Sequence, residues 1–536
     1  MQKRDLVVPM SDGIEIAMRV YTPSDGDEPR PTLFAASPYR FDNDEIPKTH
    51  QFLWYEMGPF EWYVEEHGYA FVRVDVRGTG RSGGDWRFFD ERERRDLYEL
   101  VEWVAEQPWS SGKIGGIGQS YYATSQWALA AVRPPHLTCL APYDGGNDVC
   151  SFVAHSGGIP SGGFMNAWWN ESFRPANERP FNGAPPRKLP YDFPYEVLQH
   201  QCRDEYWAER TFVDDLAACE IPVYAVGAWS KLDLHTSGVI DGFQRVNGPK
   251  KLRLTASASA LTDFASPEFH ERVLLPFYDW ALKGIATEYV SRPTVEFDVQ
   301  HAKHVVQADA WPPAGTTLSE LYLAAGPSDS VTSLNDGRLV DRDHLADGGT
   351  SYTYPDPEWT LGPIVMGPSG VDRVKRVLTF TSEPLKADVT IAGPSELIVH
   401  LESTRAETDL IVKLAEQLPQ APEDRATGRQ PDSIIVTKGW LRSGHRHTEL
   451  VPFGTPVMMN QELLPITPGE IYKLRVPLMS VAHRFVTGSR IRVEVCNADS
   501  KLTDRQFYHV YPPDKAGTDT LHHSPRYPSC LRLTVL

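Results

Sequence analysis

The sequence predicts an α/β protein with a mostly parallel sheet, followed by an all-β domain. In the first half of the 536 residues, short apolar runs alternate with helix-like patterns, which is typical of a parallel sheet covered by helices on both faces. From about Leu318 onward, turns that contain Gly and Pro separate short β-type runs, as in a sandwich or jelly roll. A chain of this length exceeds one hydrophobic core, so we expect two or three domains.

Apolar runs predict the strands of both halves. In the first half the predicted strands are Pro31–Ala36, Ala70–Val76, Lys113–Gly118, Thr138–Ala141, Ile221–Ala228 and Lys251–Thr255. In the second half they are Ala387–Ile391, Glu396–Leu401, Leu410–Leu414, Ile434–Leu441, Tyr472–Pro477 and Arg490–Val495. A helix is predicted over Asp90–Gln107, because its leucines and valines recur at helical spacing. The polar stretch Gln417–Asp432 predicts a long exposed loop.

The segment between about Tyr143 and Leu216 interrupts the α/β alternation with aromatic, Pro- and Gly-rich sequence. We interpret it as an inserted helical cap over the active site, in which aromatic residues such as Trp168 and Trp169 form mainly core. The predicted division of the chain is 1–145 and 216–315 for the α/β domain, 146–215 for the cap, and 316–536 for a jelly-roll β-sandwich domain.

The charge composition limits the possible partners. Asp and Glu number 71 against 53 Lys and Arg, which gives a formal net charge of −18 at pH 7. A surface of this sign repels phosphate backbones and anionic lipid, so we expect neither nucleic acid nor a membrane as the partner. We expect a small-molecule substrate instead. The acidic surface is compatible with a monomer or a homodimer.

Other sequence features predict a cytoplasmic protein without a cofactor. The N-terminus lacks the apolar run of a signal peptide, and no apolar stretch is long enough to span a membrane. The 6 cysteines have no C-x-x-C spacing, which favours buried free thiols in a reducing compartment. The pairs His301/His304 and His445/His447 lack acidic or cysteine partners at suitable spacing, so no metal site is predicted.

The main chemical signal is a strand–turn–helix around Ser120. A β-type run ends at Gly118, and an apolar helix is predicted over Thr124–Val132. A serine nucleophile needs a sharp turn at this point, which small residues on either side permit. Tyr122 and then Ala123 follow the serine, so the motif G-x-S-x-G is only partly kept. A helix N-cap is the alternative role, but the place in the α/β alternation favours the nucleophile elbow of an α/β-hydrolase fold.

A second glycine-rich segment, Arg77–Gly83, contains G-x-G-x-x-G after a predicted strand. This pattern indicates dinucleotide binding where a helix opens at the third glycine. Here Gly84 and the residues after it continue as a loop. We therefore interpret the glycines as turn residues beside Ser120.

Motifs spread over nearly the whole chain resemble the X-Pro dipeptidyl-peptidases and the cocaine-esterase-like acyl esterases. They are Val8–Gly13, Ser37–Tyr39, Asp75–Gly83, Gly118–Tyr121, Phe277–Gly284, Trp311–Pro313, Leu321–Leu323, Gly439–Arg442, Pro468–Gly469, His522–His523 and Pro528–Ser529. The resemblance implies an α/β-hydrolase domain with an inserted cap, a jelly-roll domain, and ester or amide cleavage by a Ser-His-Asp triad. It also implies an oxyanion hole made of the Tyr121 N–H and the Tyr39 hydroxyl, which would face the oxygen that becomes negative in a tetrahedral intermediate.

The chain departs from this family at the other two triad positions. The segment Gly227–Lys231 matches the family's acid motif, but Lys231 stands where an aspartate is expected. The family's base follows the last strand, and there Ser259 takes the place of the histidine. One interpretation is a Ser-Ser-Lys relay of Ser120, Ser259 and Lys231, which resembles that of the amidase-signature enzymes. In such a relay a neutral lysine deprotonates a serine.

Two further interpretations remain open. A displaced histidine, His235 or His270, is the base in one of them, with Asp233 or Asp263 as the orienting carboxylate. His270 lies in a helix that is predicted over Pro267–Leu282. In the other, the site no longer hydrolyses, and it catalyses a cyclisation, isomerisation or elimination of a specialised metabolite or only binds a ligand. Our functional prediction is a serine-nucleophile acyl-transfer enzyme that hydrolyses an ester or amide of a small organic molecule. The repurposed, non-hydrolytic enzyme is the alternative.

Overall fold

The computed structural model describes two compact units. The described residues are 1–24, 28–45, 56–179, 186–257, 260–302, 304–368, 370–372, 374–427, 429–447, 456–457, 459–504, 507–509 and 512–536. The first unit comprises Met1–Val153, Met165–Glu196 and Glu205–Phe297. The second comprises Ala154–Phe164, Val197–Asp204 and Asp298–Leu536. The first unit thus includes most of the segment interpreted as a cap, and the domain limits given above stay a prediction.

The first unit is built on one sheet. Its strands are β1 (Gln2–Pro9), β2 (Glu15–Thr22), β3 (Arg30–Ser37), β4 (Ala70–Asp75), β5 (Ser110–Gln119), β6 (Leu137–Tyr143), β7 (Val223–Ala228), β8 (Lys250–Thr255) and β9 (Val295–Asp298). They lie in the order β1-β2-β4-β3-β5-β6-β7-β8-β9. The strands from β4 through β3 to β9 are parallel, whereas β2 pairs antiparallel with β1 and with β4. All six predicted strands are present.

Helices of the first unit follow its strands. They are α1 (Phe60–Glu65), α2 (Glu91–Ala105), α3 (Tyr121–Val132), α4 (Arg174–Glu178), α5 (Phe193–Gln199), α6 (Glu205–Ala208), α7 (Ser237–Arg245), α8 (Ala260–Ala265), α9 (Pro267–Arg272) and α10 (Leu275–Tyr278). The predicted helix Asp90–Gln107 is confirmed as α2, and the Asp90 side chain caps it by accepting the Glu93 N–H. Every residue of α3 from Tyr121 to Ala131 is buried, because this helix packs against the sheet behind the elbow.

The C-terminal helix predicted over Pro267–Leu282 is not continuous. It consists of α9 and α10, followed by a π-helical turn over Asp279–Lys283. Pro276 lies in the first turn of α10, where its missing N–H costs no helical hydrogen bond. The proline therefore begins a new helix instead of continuing the preceding one.

Aromatic side chains pack together in the segment interpreted as a cap. A π-helix over Met165–Phe173 precedes α4 and carries Trp168 and Trp169. Trp169 stacks on Phe173 at 4.9 Å between ring centroids and on Trp86 at 5.6 Å. All of these rings are buried, so their interpretation as core is confirmed.

The second unit is an all-β unit. The strands of its main sheet are β10 (Thr317–Ala324), β11 (Gly337–Val340), β12 (Gly349–Tyr354), β13 (Leu378–Thr381), β14 (Val389–Ser403), β15 (Asp409–Gln417), β16 (Ser433–Arg442), β17 (Ile471–Phe485), β18 (Arg490–Cys496), β19 (Gly517–His522) and β20 (Cys530–Val535). They lie in the order β12-β19-β14-β17-β16-β15-β18-β13-β11-β10-β20. Because β20 also pairs with β14, the sheet closes into a barrel-like ring. The all-β prediction is confirmed, and the jelly-roll topology stays a prediction.

Shorter elements complete the second unit. They are the strands Val305–Ala308, His155–Ser156, Ile159–Pro160, Met366–Gly367 and Gly370–Val371, and the helices Gly162–Phe164 and Pro422–Ala426. The last helix lies in the stretch predicted as a long exposed loop. Two of the runs predicted as separate strands form one long strand, β14, which has a bulge between Gly393 and Ser395. No helix of the described residues is long and apolar enough to cross a membrane.

Candidate active site

Ser120 occupies a strained turn between β5 and α3. Its backbone has φ 62° and ψ −119°, a conformation that non-glycine residues rarely adopt. The Ser120 N–H donates to the Asp144 carbonyl at 2.8 Å. Gly118 has φ 130°, and a Cβ there would lie 2.3 Å from the Cβ of Tyr122, so only glycine fits. The structure therefore places Ser120 as the elbow prediction requires.

Tyr39 is hydrogen-bonded to Ser120 from the loop after β3. Its hydroxyl accepts a hydrogen bond from Trp168 Nε1 at 2.9 Å, which leaves the phenolic hydrogen available to donate. Burial, and to a smaller extent the Glu56 carboxylate, raise the pKa of the Tyr39 phenol well above its usual value. The phenol stays protonated and suits an oxyanion donor.

Tyr121 contributes to the site through its backbone. It is the first residue of α3, where the N–H groups have no acceptor within the helix. Its side chain is held elsewhere, since the hydroxyl donates to Glu93 at 2.6 Å and accepts from Trp86 Nε1 at 3.1 Å. The Tyr121 N–H thus lies at the N-terminus of α3, directly after the proposed nucleophile.

Lys231 follows β7 in a 3₁₀ turn over Trp229–Lys231 and is half-buried. Its charge lowers the pKa of both Glu56 and Asp144, which places it beside these two carboxyl groups. Its proposed partner in the relay, Ser259, lies outside the described residues. The Ser-Ser-Lys relay therefore stays a prediction.

Glu56 lies against the elbow, at a position that the sequence alone does not indicate. Its carbonyl accepts the Gln119 N–H at 2.7 Å, and its carboxyl group is hydrogen-bonded to Ser120. The residue is 4% exposed. Burial raises the pKa of Glu56 to about 8, with a smaller contribution from the negative charge of Asp144. No local motif marks Glu56, because only the fold brings it to a serine 64 positions later.

Asp144 connects the ends of three neighbouring strands. It follows β6, and its side chain accepts the N–H of Ala228, the last residue of β7, at 2.9 Å and the side-chain amide of Gln119, the last residue of β5, at 3.3 Å. Burial raises the pKa of this carboxyl to about 7, although the hydrogen bonds and Lys231 oppose the effect. This residue too was missed, because a single aspartate after a strand is not a distinctive pattern.

The two candidate histidines differ in their surroundings. His270 is fully buried, with Nε2 2.6 Å from the Phe264 carbonyl and Nδ1 2.9 Å from the Tyr63 hydroxyl. Both of its ring nitrogens are thus engaged in hydrogen bonds within the core, and neither is available to Ser120. The interpretation of His270 as a displaced base is therefore wrong. His235 is buried, and burial together with the charge of Lys231 lowers its pKa well below the usual value. Its Nδ1 has no hydrogen-bond partner among the described residues.

The glycines of Arg77–Gly83 serve a tight turn. A Cβ at Gly78 would lie 1.9 Å from the Trp86 backbone nitrogen, and one at Gly80 would lie 2.0 Å from Oδ2 of Asp75. The next helix, α2, begins only at Glu91. This geometry agrees with the interpretation of these residues as a turn.

One set of potential metal ligands occurs among the described residues, and it lies in the second unit. Nδ1 of His301 and Nε2 of His483 are 3.1 and 2.9 Å from the same oxygen, Oε2 of Glu416. The Glu416 carboxylate thus bridges the two imidazole rings. Spacing along the sequence pairs His301 with His304, whereas the folded chain brings it to Glu416 and His483.

The sheet order, together with a serine at the sharp turn after the fifth strand, defines an α/β-hydrolase-fold protein. Residues 12–258 match the family model of the X-Pro dipeptidyl-peptidases (S15 family), and residues 288–532 match the X-Pro dipeptidyl-peptidase C-terminal non-catalytic domain. The chain belongs to this family of X-Pro dipeptidyl-peptidases and cocaine-esterase-like acyl esterases, which is a family of serine hydrolases of the esterase and peptidase type.

Individual relatives are distant but match along nearly the whole chain. Cocaine esterase of Rhodococcus sp. (strain MB1 Bresler) is 24% identical over 600 aligned positions, which cover 99% of this chain and 98% of that protein. A CocE/NonD family hydrolase from Staphylococcus aureus is 22% identical in its crystal structure, with a TM-score of 0.80 and coverage of 100% and 94%. An aminopeptidase from the marine sediment archaeon Thaumarchaeota archaeon is 18% identical, with a TM-score of 0.75 and coverage of 100% and 96%. These two structural likenesses concern the fold.

Proposed function

We propose that the chain hydrolyses an ester or amide of a small organic molecule by acyl transfer to Ser120. The observation that carries this proposal is the strained Ser120 turn, with the protonated Tyr39 phenol hydrogen-bonded to the serine. The family model of the X-Pro dipeptidyl-peptidases and the relative named cocaine esterase support amide and ester bonds as the bonds cleaved.

In the proposed reaction, Ser120 Oγ attacks the carbonyl carbon of the substrate. The carbonyl oxygen becomes negative and receives hydrogen bonds from the Tyr39 hydroxyl and the Tyr121 N–H. Collapse of the tetrahedral intermediate expels the alcohol or amine and leaves an acyl group on Ser120. Water then hydrolyses the acyl-enzyme and restores the serine.

Aromatic side chains beside Tyr39 support a partly apolar substrate. Trp168, which donates to the Tyr39 hydroxyl, stacks on Phe88 at 5.4 Å between ring centroids. Phe88 in turn stacks on Tyr121 at 5.5 Å. An apolar group of the substrate would pack against the edge of this aromatic cluster, next to the proposed oxyanion hole.

The wider setting of the reaction remains part of the proposal. The six cysteines are free thiols, five of them buried, which supports action in a reducing cytoplasm. We expect a monomer or homodimer, and a small molecule as the binding partner. The relay through Ser259 and Lys231 is the sequence-based proposal for the activation of Ser120.

A non-hydrolytic activity is the second candidate. The feature that favours it comes from the resemblance to the family's motifs, in which Lys231 and Ser259 stand where the acid and the base are expected. Loss of both groups would leave Ser120 as a polar residue beside two hydrogen-bond donors, suited to a cyclisation, isomerisation or elimination.

Covalent labelling tests whether Ser120 is a nucleophile. We expect a fluorophosphonate to add one phosphonyl group to the intact protein, as measured by mass spectrometry, and Ser120→Ala to abolish the addition. Ser125→Ala is a matched control, because Ser125 is a buried serine of the adjoining helix α3 whose hydroxyl donates to the Ala36 carbonyl. A folded wild-type protein that remains unlabelled would favour the non-hydrolytic candidate.

A further inference from the structure

We infer that Glu56 is the general base that takes the proton from Ser120, and that the neighbouring charge of Lys231 favours its carboxylate form. The inference rests on the proposed function, since it needs Ser120 to act as a nucleophile. It gives the role of the missing histidine to a carboxylate from a different part of the chain.

The position of Glu56 is set by the backbone of the elbow. Its carbonyl accepts the Gln119 N–H at 2.7 Å, directly before the serine. The same carbonyl oxygen lies 3.3 Å from where a Cβ on Gly118 would be. A segment held this closely to the turn keeps the Glu56 side chain at Ser120, to which it is hydrogen-bonded. A nucleophile in hydrogen-bond contact with a proton acceptor is the arrangement that general-base catalysis requires.

The Glu56 carboxyl group also has unused acceptor capacity. Oε2 is buried and has no hydrogen-bond partner among the described residues. A buried carboxyl oxygen without a partner is costly for folding alone and is often explained by function. The Ser120 hydrogen bond therefore uses Oε1, and we interpret Oε2 as an acceptor left free for the water that hydrolyses the acyl-enzyme.

Five groups face Glu56 and set its ionisation. Ser120 donates a hydrogen bond and Lys231 supplies a positive charge, and both favour the carboxylate. Asp144 supplies a negative charge that opposes it. The phenols of Tyr39 and Tyr122 are neutral, since burial raises the pKa of each. The outcome is a pKa of about 8 for Glu56, dominated by burial, which makes it a much stronger base than an exposed glutamate.

The proton balance follows from these contacts. As Ser120 Oγ forms its bond to the carbonyl carbon, its proton moves to the Glu56 carboxylate and the π electrons of the carbonyl move to oxygen. When the intermediate collapses, the protonated Glu56 returns this proton to the departing alcohol or amine. In deacylation Glu56 takes a proton from water, and the hydroxyl attacks the acyl carbon. The proton then passes to Ser120 Oγ as the acid is released.

Lys231 has a different role here from its role in the relay. Its charge lowers the pKa of Glu56. Lys231→Met should therefore move the ionisation of Glu56 to higher pH and leave a reactive enzyme once Glu56 has ionised. If Lys231 were itself the base, the same substitution would remove the reaction at every pH.

The experiment measures the rate constant of fluorophosphonate labelling between pH 5 and pH 10. In the wild type the rate should rise with pH and level off above a midpoint near 8, because the base acts only when ionised. The labelling rate of Glu56→Gln should be about 10²–10⁴-fold lower, which is the usual contribution of a general base, and it should not rise through this midpoint. Lys231→Met should show the same plateau with a midpoint at higher pH. Circular dichroism checks that each variant is folded.

Rescue with a small carboxylate separates a base from a structural residue. Formate should restore part of the labelling rate of Glu56→Ala, since it can occupy the vacated space and accept the proton, whereas a packing defect would not respond. Wild-type rates for Glu56→Gln, or no rescue of Glu56→Ala, would overturn the inference while Ser120 labelling still supports the proposed function. A Lys231→Met variant that is silent at every pH would also overturn it and favour the relay. Absence of labelling in the wild type would overturn both.

Discussion

Replacing Tyr39 by Phe tests the oxyanion hole while keeping the aromatic ring. Tyr39 is buried, and its ring lies 6.1 Å from that of Tyr121 and 6.0 Å from that of Tyr122, contacts that Phe retains. The substitution removes one of two proposed donors to the developing oxyanion. Loss of such a donor costs about 10²–10³-fold in rate, or about 2.7–4 kcal/mol of transition-state stabilisation.

The same substitution has a smaller effect on folding. It leaves Trp168 Nε1 without its acceptor, which costs about 1–3 kcal/mol in the free energy of unfolding. Trp168→Phe is therefore the matched variant, because it removes the same hydrogen bond but keeps the Tyr39 hydroxyl. We expect Trp168→Phe to lower the thermal stability at least as much as Tyr39→Phe does, because it also removes part of a buried ring, but we expect a large loss of labelling rate only from Tyr39→Phe.

The assay is the fluorophosphonate labelling rate at pH 9, with Tyr122→Phe as a second control. Tyr122 is a neighbouring buried tyrosine that belongs to the same helix as the Tyr121 amide but has no proposed role in the hole. A Tyr39→Phe protein that labels as fast as Tyr122→Phe would refute the oxyanion-hole assignment.

Two predictions concern stability. Gly118→Ala should destabilise the protein by about 2–5 kcal/mol, because the new methyl group meets Tyr122 and the backbone has φ 130°. Gly284 also has a positive φ, but a Cβ there would meet open space, so Gly284→Ala should lower the free energy of unfolding clearly less. Urea titration measures both, and equal losses would contradict the role given to the clash with Tyr122. Asp144→Asn should stabilise the protein at pH 8, since the raised pKa of about 7 makes ionisation of Asp144 unfavourable for folding. The free energy of unfolding of the wild type falls as the pH rises from about 4 to 7, because Asp144 ionises at lower pH in the unfolded chain than in the folded one. The advantage of the variant, at most about 4 kcal/mol, should therefore vanish towards pH 4 in unfolding measurements.

Local pattern was sufficient for the sheet and the elbow. The strands β3, β4 and β7 consist mostly of apolar residues because helices cover both faces of a parallel sheet, and that burial is visible in composition alone. The turn at Ser120 was predictable because its requirement for a small residue at Gly118 is local. Continuity of the C-terminal helix was not predictable from periodicity, since the apolar spacing persists through the break before Pro276.

By itself the sequence determined the fold class, the all-β second half and the position of Ser120, because each depends on neighbours in the chain. Only the tertiary structure decided what surrounds that serine. Glu56 and Asp144 come to the elbow from other loops, and Lys231 lies beside them. Their ionisation depends on burial and on charges distant in sequence, which no local pattern records. Burial is a property of the folded molecule, so the chemistry of this site became visible only once the strand ends were placed together.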